Sequence, residues 1–191
     1  TDDFDRFMKE NDLNKIAFSK NKNDKDIISK FLKGEISSKL KNTLSKFLDK
    51  MRSPLAIRSS SLLEDSQYQP LSGMYATYML PNSNRSKTKK LNELIKAIKL
   101  VYASTYLKEP SSLIEKSVHR HEEEKMAVII MELIGKKHQS RFYPSASGLA
   151  QSYNYYPVSY MKRNEGVAYL ALGLGRTIAE GDKSLRFSPK Y

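Results

Sequence analysis

The sequence predicts an α+β protein, and three features carry that expectation. Apolar residues recur at helical spacing through most of the first 51 residues and again over 88–107. Two other segments, 73–80 and 126–134, read as strands, one alternating and one continuously apolar. The strand signals come in pairs rather than in strict alternation with helices. The expected architecture is therefore a mixed or antiparallel sheet with helices packed against it.

In chain order, residues 2–10 carry Phe4, Phe7 and Met8 on one helical face. Residues 24–33 repeat the pattern with Ile27, Ile28, Phe31 and Leu32, and Gly34 is placed to end the helix. Residues 36–51 do so with Ile36, Leu40, Leu44, Phe47, Leu48 and Met51. Pro54 breaks the helix, and Leu55-Ala56-Ile57 is a short buried strand. Residues 59–72 lack a period and read as a loop. In 73–80, Tyr75, Thr77 and Met79 point one way and Met74, Ala76, Tyr78 and Leu80 the other. Pro81-Asn82-Ser83-Asn84 ends that strand. The stripe Leu91, Leu94, Ile95, Ile98, Val101, Tyr102 and Tyr106 marks the clearest helix. A short helix through Ile114 and Val118 follows, then the polar run His119–Glu124. Met126–Ile134 is so apolar that both of its faces are expected to be covered. Residues 147–153 and 166–172 are two further strands flanking an aromatic turn, and 176–181 is a helical turn.

At 191 residues the chain is long enough for a single core. No apolar run approaches the roughly 18 residues that cross a bilayer. The acidic start, Thr1-Asp2-Asp3-Phe4, is no secretory signal, and no cysteine is present, so disulfides and thiolate chemistry are excluded. These features fit a cytoplasmic protein. The net charge of +12 suits an anionic partner, but lysine spread over helices reads as a solvated face rather than a nucleic-acid surface. The missing initiator Met and the ending Ser188-Pro189-Lys190-Tyr191 read as a piece of a larger protein.

The chemically suggestive stretch is Ile57-Arg58-Ser59-Ser60-Ser61 with Glu64-Asp65 beyond it. A strand that delivers one guanidinium and several hydroxyls can hold a phosphate. An ion pair between Arg58 and Glu64 or Asp65 explains the same residues. Glu132 closes the most apolar strand, where a charge is costly. It fits either an oriented group beside an adenine ring or an exposed strand end. His119, His121 and Glu122–Glu124 form a weak metal candidate, and Gly173-Leu174-Gly175 lacks the third glycine of a dinucleotide fingerprint.

Taken together, these segments resemble the nucleotide-binding, ATP-grasp-type domain of phosphoenolpyruvate synthase, pyruvate phosphate dikinase and rifampin phosphotransferase. The family's V-R-S-S-A…E-D is similar to 57–65, and its A-G-Q-x-x-T-Y to 72–78. Its A-I-K-x-x-W-A-S is similar to 97–104, and its M-A-V-V-V-Q-x-M-V to 126–134. Its S-G-V…D-P is similar to 147–157, and its G-L-G-E-x-V-V-Q-G to 173–181. Order and spacing agree from about residue 2 to 185.

The resemblance implies that Arg58, with Ser59 beside it, holds ATP phosphates, that Gly73 and Thr77 close over them, and that Met131 and Glu132 lie at the adenine hinge. It also marks departures. Met131 replaces the hinge glutamine, Tyr156 the aspartate of D-P, Arg176 the glutamate of G-L-G-E, and Glu180 the glutamine of V-V-Q-G. Mg²⁺ handling then falls to Glu180, while Arg176 meets phosphate directly. The implied cofactors are ATP and Mg²⁺. The implied function is to position Mg-ATP for transfer to a histidine on a separate swivelling domain and then to pyruvate on a further domain. No catalytic residue of that reaction lies in this stretch, which is expected to be inactive alone. A degenerate nucleotide-binding or regulatory module, or a basic nucleic-acid-binding domain, are the alternatives. In domain terms, 1–52 is a helical segment continuous with a sheet-plus-helix lobe at 53–191.

Overall fold

The computed structural model describes residues 2–19, 23–61, 75–108, 110–111, 125–179 and 184–190. These form helices and small antiparallel sheets, an α+β structure. The contacts divide the chain into two compact units, Thr1–Leu133 and Ile134–Tyr191. The expected boundary at 52/53 lies inside the first unit.

In the first unit, α1 (Asp2–Glu10), α2 (Asn14–Ala17), α3 (Asp24–Lys33), α4 (Ser38–Lys50) and α5 (Lys87–Ser104) accompany one sheet. Its strands are β1 (Leu55–Ser61), β2 (Tyr78–Leu80) and β3 (Met126–Glu132), in the order β2-β1-β3. Helix starts follow the local chemistry. Asn23 Oδ1 accepts from Lys25 N–H at 3.1 Å, Ser37 Oγ from Leu40 N–H at 3.2 Å, and Ser86 Oγ from Lys89 N–H at 3.4 Å. Gly34 does end α3, but its φ of −58° needs no glycine. Space does, since a Cβ there would meet the Phe7 ring at 2.9 Å.

The core lies between the helices and one face of the sheet. From α5, Leu94, Ile98, Val101 and Tyr102 meet Leu55, Ile57 and Met126 from the strands. An aromatic cluster joins the helices: Phe4 stands edge-on to Tyr102 at 5.0 Å, and Phe31 contacts both Phe7 and Tyr106 at about 6 Å. Burial pushes the Tyr102 hydroxyl up to about 12, with Asp3 adding to the shift.

Two expectations need correction here. Met126–Ile134 is not covered on both faces, for Ile129 and Met131 are 44% and 45% exposed. Ser59, Ser60 and Ser61 continue strand β1 rather than starting a loop, because each pairs with β3. Residues 62–74 and 112–124 lie outside the described residues, and with them Glu64, Asp65, Gly73, His119, His121 and Glu122–Glu124. The strand expected at 73–80 is observed at Tyr78–Leu80.

The second unit holds a hairpin of β4 (Lys136–His138) and β5 (Arg141–Tyr143), and a sheet of β6 (Ala146–Gln151), β7 (Val167–Leu172) and β8 (Leu185–Phe187) in the order β6-β7-β8. A 3-10 turn at Arg163–Glu165 and the short helix α6 (Arg176–Ala179) complete it. The strands at 147–153 and 166–172 were legible; the hairpin and β8 were not.

Phe31 is fully buried against rings from two other segments. Phe31→Ala should cost about 3–5 kcal/mol, through lost transfer energy and an unfilled cavity. Ile134→Ala, at an exposed position, should stay within about 0.5 kcal/mol. Urea denaturation followed by circular dichroism checks both.

Candidate functional site

Pairing with β3 holds β1 over its whole length, from Leu55 opposite Glu132 to Ser61 opposite Met126. A strand alternates its side chains between faces, so Leu55, Ile57, Ser59 and Ser61 turn inward and are buried. Ala56, Arg58 and Ser60 turn outward. The ladder carries this parity to the neighbours: Ala56 is opposite Met131 and Met79, and Arg58 is opposite Ile129. The outer face is thus an apolar patch of Met79 (62% exposed), Ile129 and Met131 around one guanidinium. Arg58 has no ion pair or hydrogen bond with any described residue. Extending the β1–β2 register by one residue brings exposed Thr77 opposite Arg58.

The structure therefore brings Arg58, Met131 and Thr77 to one face. It does not bring Ser59 there, because Ser59 is buried on the opposite face. Met79 and Ile129 join the patch without having been singled out. The alternation in 73–80 carried the signal for Met79, whereas the continuous apolar run of β3 concealed that Ile129 faces outward.

Glu132 sits at the exposed end of β3. Its Oε1 accepts from Ser53 N–H at 3.0 Å and Arg52 N–H at 3.4 Å. Asn82 braces the same turn by donating from Nδ2 to Ser53 O at 3.0 Å and Met51 O at 3.4 Å. Leu133 N–H adds a 2.8 Å bond to Pro54 O. Together these groups fix where β1 starts, and so where Arg58 falls. The hydrogen bonds from Ser53, then Arg52, hold the Glu132 carboxyl below its ordinary 4.5.

In the second unit, residues 173–175 turn tightly before α6. Ser147 Oγ donates to Gly173 O at 2.6 Å, and Gly173 N–H donates to Ser145 O at 3.1 Å. Gly175 has φ 68°, and a Cβ there would lie 2.6 Å from Ser147 Cβ, so glycine is required on both counts. Arg176 is the first residue of α6. Tyr156 is 81% exposed. Glu180 lies outside the described residues. Among the described residues no group of three or more His, Cys, Asp or Glu is placed to hold a metal ion, and no helix is long and apolar enough to cross a membrane.

The family model described as the pyruvate phosphate dikinase AMP/ATP-binding domain matches residues 1–187. A comparison with curated proteins finds no match.

A carboxyl held below its ordinary value contributes stability that is present above the unfolded-state value. That contribution is lost as pH falls through the folded-state value. Glu132→Gln should therefore be less stable than the parent chain near neutral pH, and the difference should close below about pH 4. Urea midpoints of both proteins across that range check the sign. A gap that stays constant down to acid would contradict it.

Proposed function

The chain belongs to the pyruvate phosphate dikinase AMP/ATP-binding domain family, and from that premise we propose that the outer face of the β2-β1-β3 sheet receives the nucleotide. The observation that carries this reading is Arg58 standing unpaired, among the described residues, beside Met79, Ile129 and Met131. An adenine-bearing ligand needs an apolar surface for its ring and a fixed cation for its phosphates. Methionine side chains adapt to a flat ring at low cost. The Thr77 hydroxyl adds a hydrogen-bonding group on the same face, and Gly73 lets the preceding loop approach the phosphates, as the resemblance implies. Glu132 contributes by pinning the Arg52–Ser53 turn.

On this reading the domain is ATP-grasp-like and its work is positioning. It holds the nucleotide so that a phosphoryl group passes in line to a histidine of a separate swivelling domain, and from there to pyruvate on a further domain. Positioning and charge neutralisation are most of what phosphoryl transfer asks of a protein. Magnesium takes near-octahedral oxygen ligands, commonly one or two carboxylates plus phosphate oxygens. The described residues do not fit that ion. Tyr156 and Arg176 stand where the resemblance expects acids, and no described cluster supplies the donors. No step is assigned to the metal for that reason. The same substitutions favour a second reading, a nucleotide-binding module that senses the ligand without transferring phosphate.

Arg58→Ala should weaken AMP and ATP binding about tenfold or more, the effect of losing a charge-assisted contact of about 1.5–3 kcal/mol. Titration calorimetry of both proteins, with and without magnesium, measures it. Unchanged affinity in the variant would remove this face from the site. Binding that requires magnesium favours the transferase reading, and binding indifferent to it favours the sensing module.

A further inference from the structure

The second unit contains a cavity of about 440 Å³, within the size range of small-molecule sites. Leu149, Val167 and Ile178 give it an aliphatic side, and Tyr155, Tyr156 and Tyr169 an aromatic one. The polar groups are Gln151, Asn154, Ser184 and Arg186. No acidic side chain is among its described lining residues.

Arg186 organises the polar end. Its register opposite Tyr169 brings the guanidinium over the Tyr169 ring, 5.5 Å from the centroid. Nη2 donates to Asn154 Oδ1 at 3.0 Å and to the carbonyl of Tyr156. Asn154 is itself 1% exposed and also accepts from Tyr156 N–H at 3.2 Å. The loop at 154–156 is thus built around this cation. Its acceptors are neutral, so the charge is left without a counter-ion among the described residues. The Nε–H is buried and has no hydrogen-bond partner. A buried donor without a partner is destabilising, and a buried cation without a counter-ion is more so. An anion that reaches this end of the cavity supplies both.

We propose that this cavity is a binding site for a small organic anion. A carboxylate or phosphate monoester would meet Arg186, and an aromatic or branched apolar body would lie between the tyrosines and Leu149, Val167 and Ile178. Recognition is direct and needs no metal ion, since the lining offers a cation where a metal site would offer carboxylates. Lys and Arg outnumber Asp and Glu over residues 134–191, so the local field also favours an anion. The proposal stands independently of the nucleotide face on the first unit.

The test is a titration of the full chain, carrying ¹³C-labelled tyrosine rings, with phenyl phosphate, benzoate, AMP and inorganic phosphate in separate arms. At least one of the aryl anions should shift the Tyr155, Tyr156 and Tyr169 signals saturably. Arg186→Gln should weaken that binding about tenfold or more. Because Arg186 also braces the 154–156 loop, a second variant, Leu149→Trp, fills the apolar side and leaves the arginine in place. It should abolish the shifts while the circular dichroism spectrum is retained. Silence from both aryl anions would overturn the proposal, as would binding that survives both substitutions. Shifts with inorganic phosphate as strong as with the aryl anions would show that the apolar walls take no part, which also overturns it. Shifts with AMP alone would assign the cavity to the nucleotide and overturn the separate site.

Discussion

The pairing of β1 with β3 is the constraint on which the first unit depends. Seven residues of β1 pair without interruption, and a slip of one residue would exchange every inward side chain for an outward one. In the observed register, Leu55 and Ile57 complete the core beneath α5, and Arg58 stands outside. In the other register a guanidinium would enter that core while Ile57 faced water. The cost of burying an unpaired charge therefore reinforces the apolar contacts in selecting one pairing. The Glu132 carboxylate and the Asn82 amide act on the same choice by clamping the turn where β1 begins.

This arrangement ties stability to recognition. The core does not require that Met79, Ile129 and Met131 be apolar, because they face away from it. Their exposure beside a cation gives the sheet one buried face that holds the fold and one open face with the composition of a ligand surface. The second unit shows a related separation. Ser147 and Gly175 lock the turn before α6, whereas Arg186 and Asn154 stabilise a loop but leave a cationic group unsatisfied.

Much of the fold was legible because long helices advertise themselves. The spacing of Leu94, Ile98 and Val101 admits one face and one partner, and Phe4, Phe7 and Met8 behave likewise. Strand ends were less legible. Polar residues at 59–61 resemble a loop, and only the partner strand, more than sixty residues away, makes them β structure. The apolar run at 126–134 carried no period from which an open face could be read. The hairpin at 136–143 has three-residue strands of mostly exposed, charged residues, so neither alternation nor β-propensity marks it. In the candidate site, Arg58 was legible because an arginine after an apolar strand is unusual. Glu132 was visible as an anomaly, but its hydrogen bonds to backbone eighty residues earlier were not, and those bonds supply the reason for a charge at that strand end. Gly34 ends its helix as expected, yet for reasons of space beside Phe7 that only the tertiary structure reveals.

The central claim is that the open sheet face around Arg58 is where the nucleotide lies. Seven methionines are present, and their methyl groups allow a direct test, because Met79 and Met131 are on that face while Met8 and Met126 are buried in the core. With ¹³C-methyl methionine, AMP should shift the Met79 and Met131 signals saturably and leave Met8 and Met126 nearly still. Saturable AMP binding that leaves Met79 and Met131 unmoved would contradict the account.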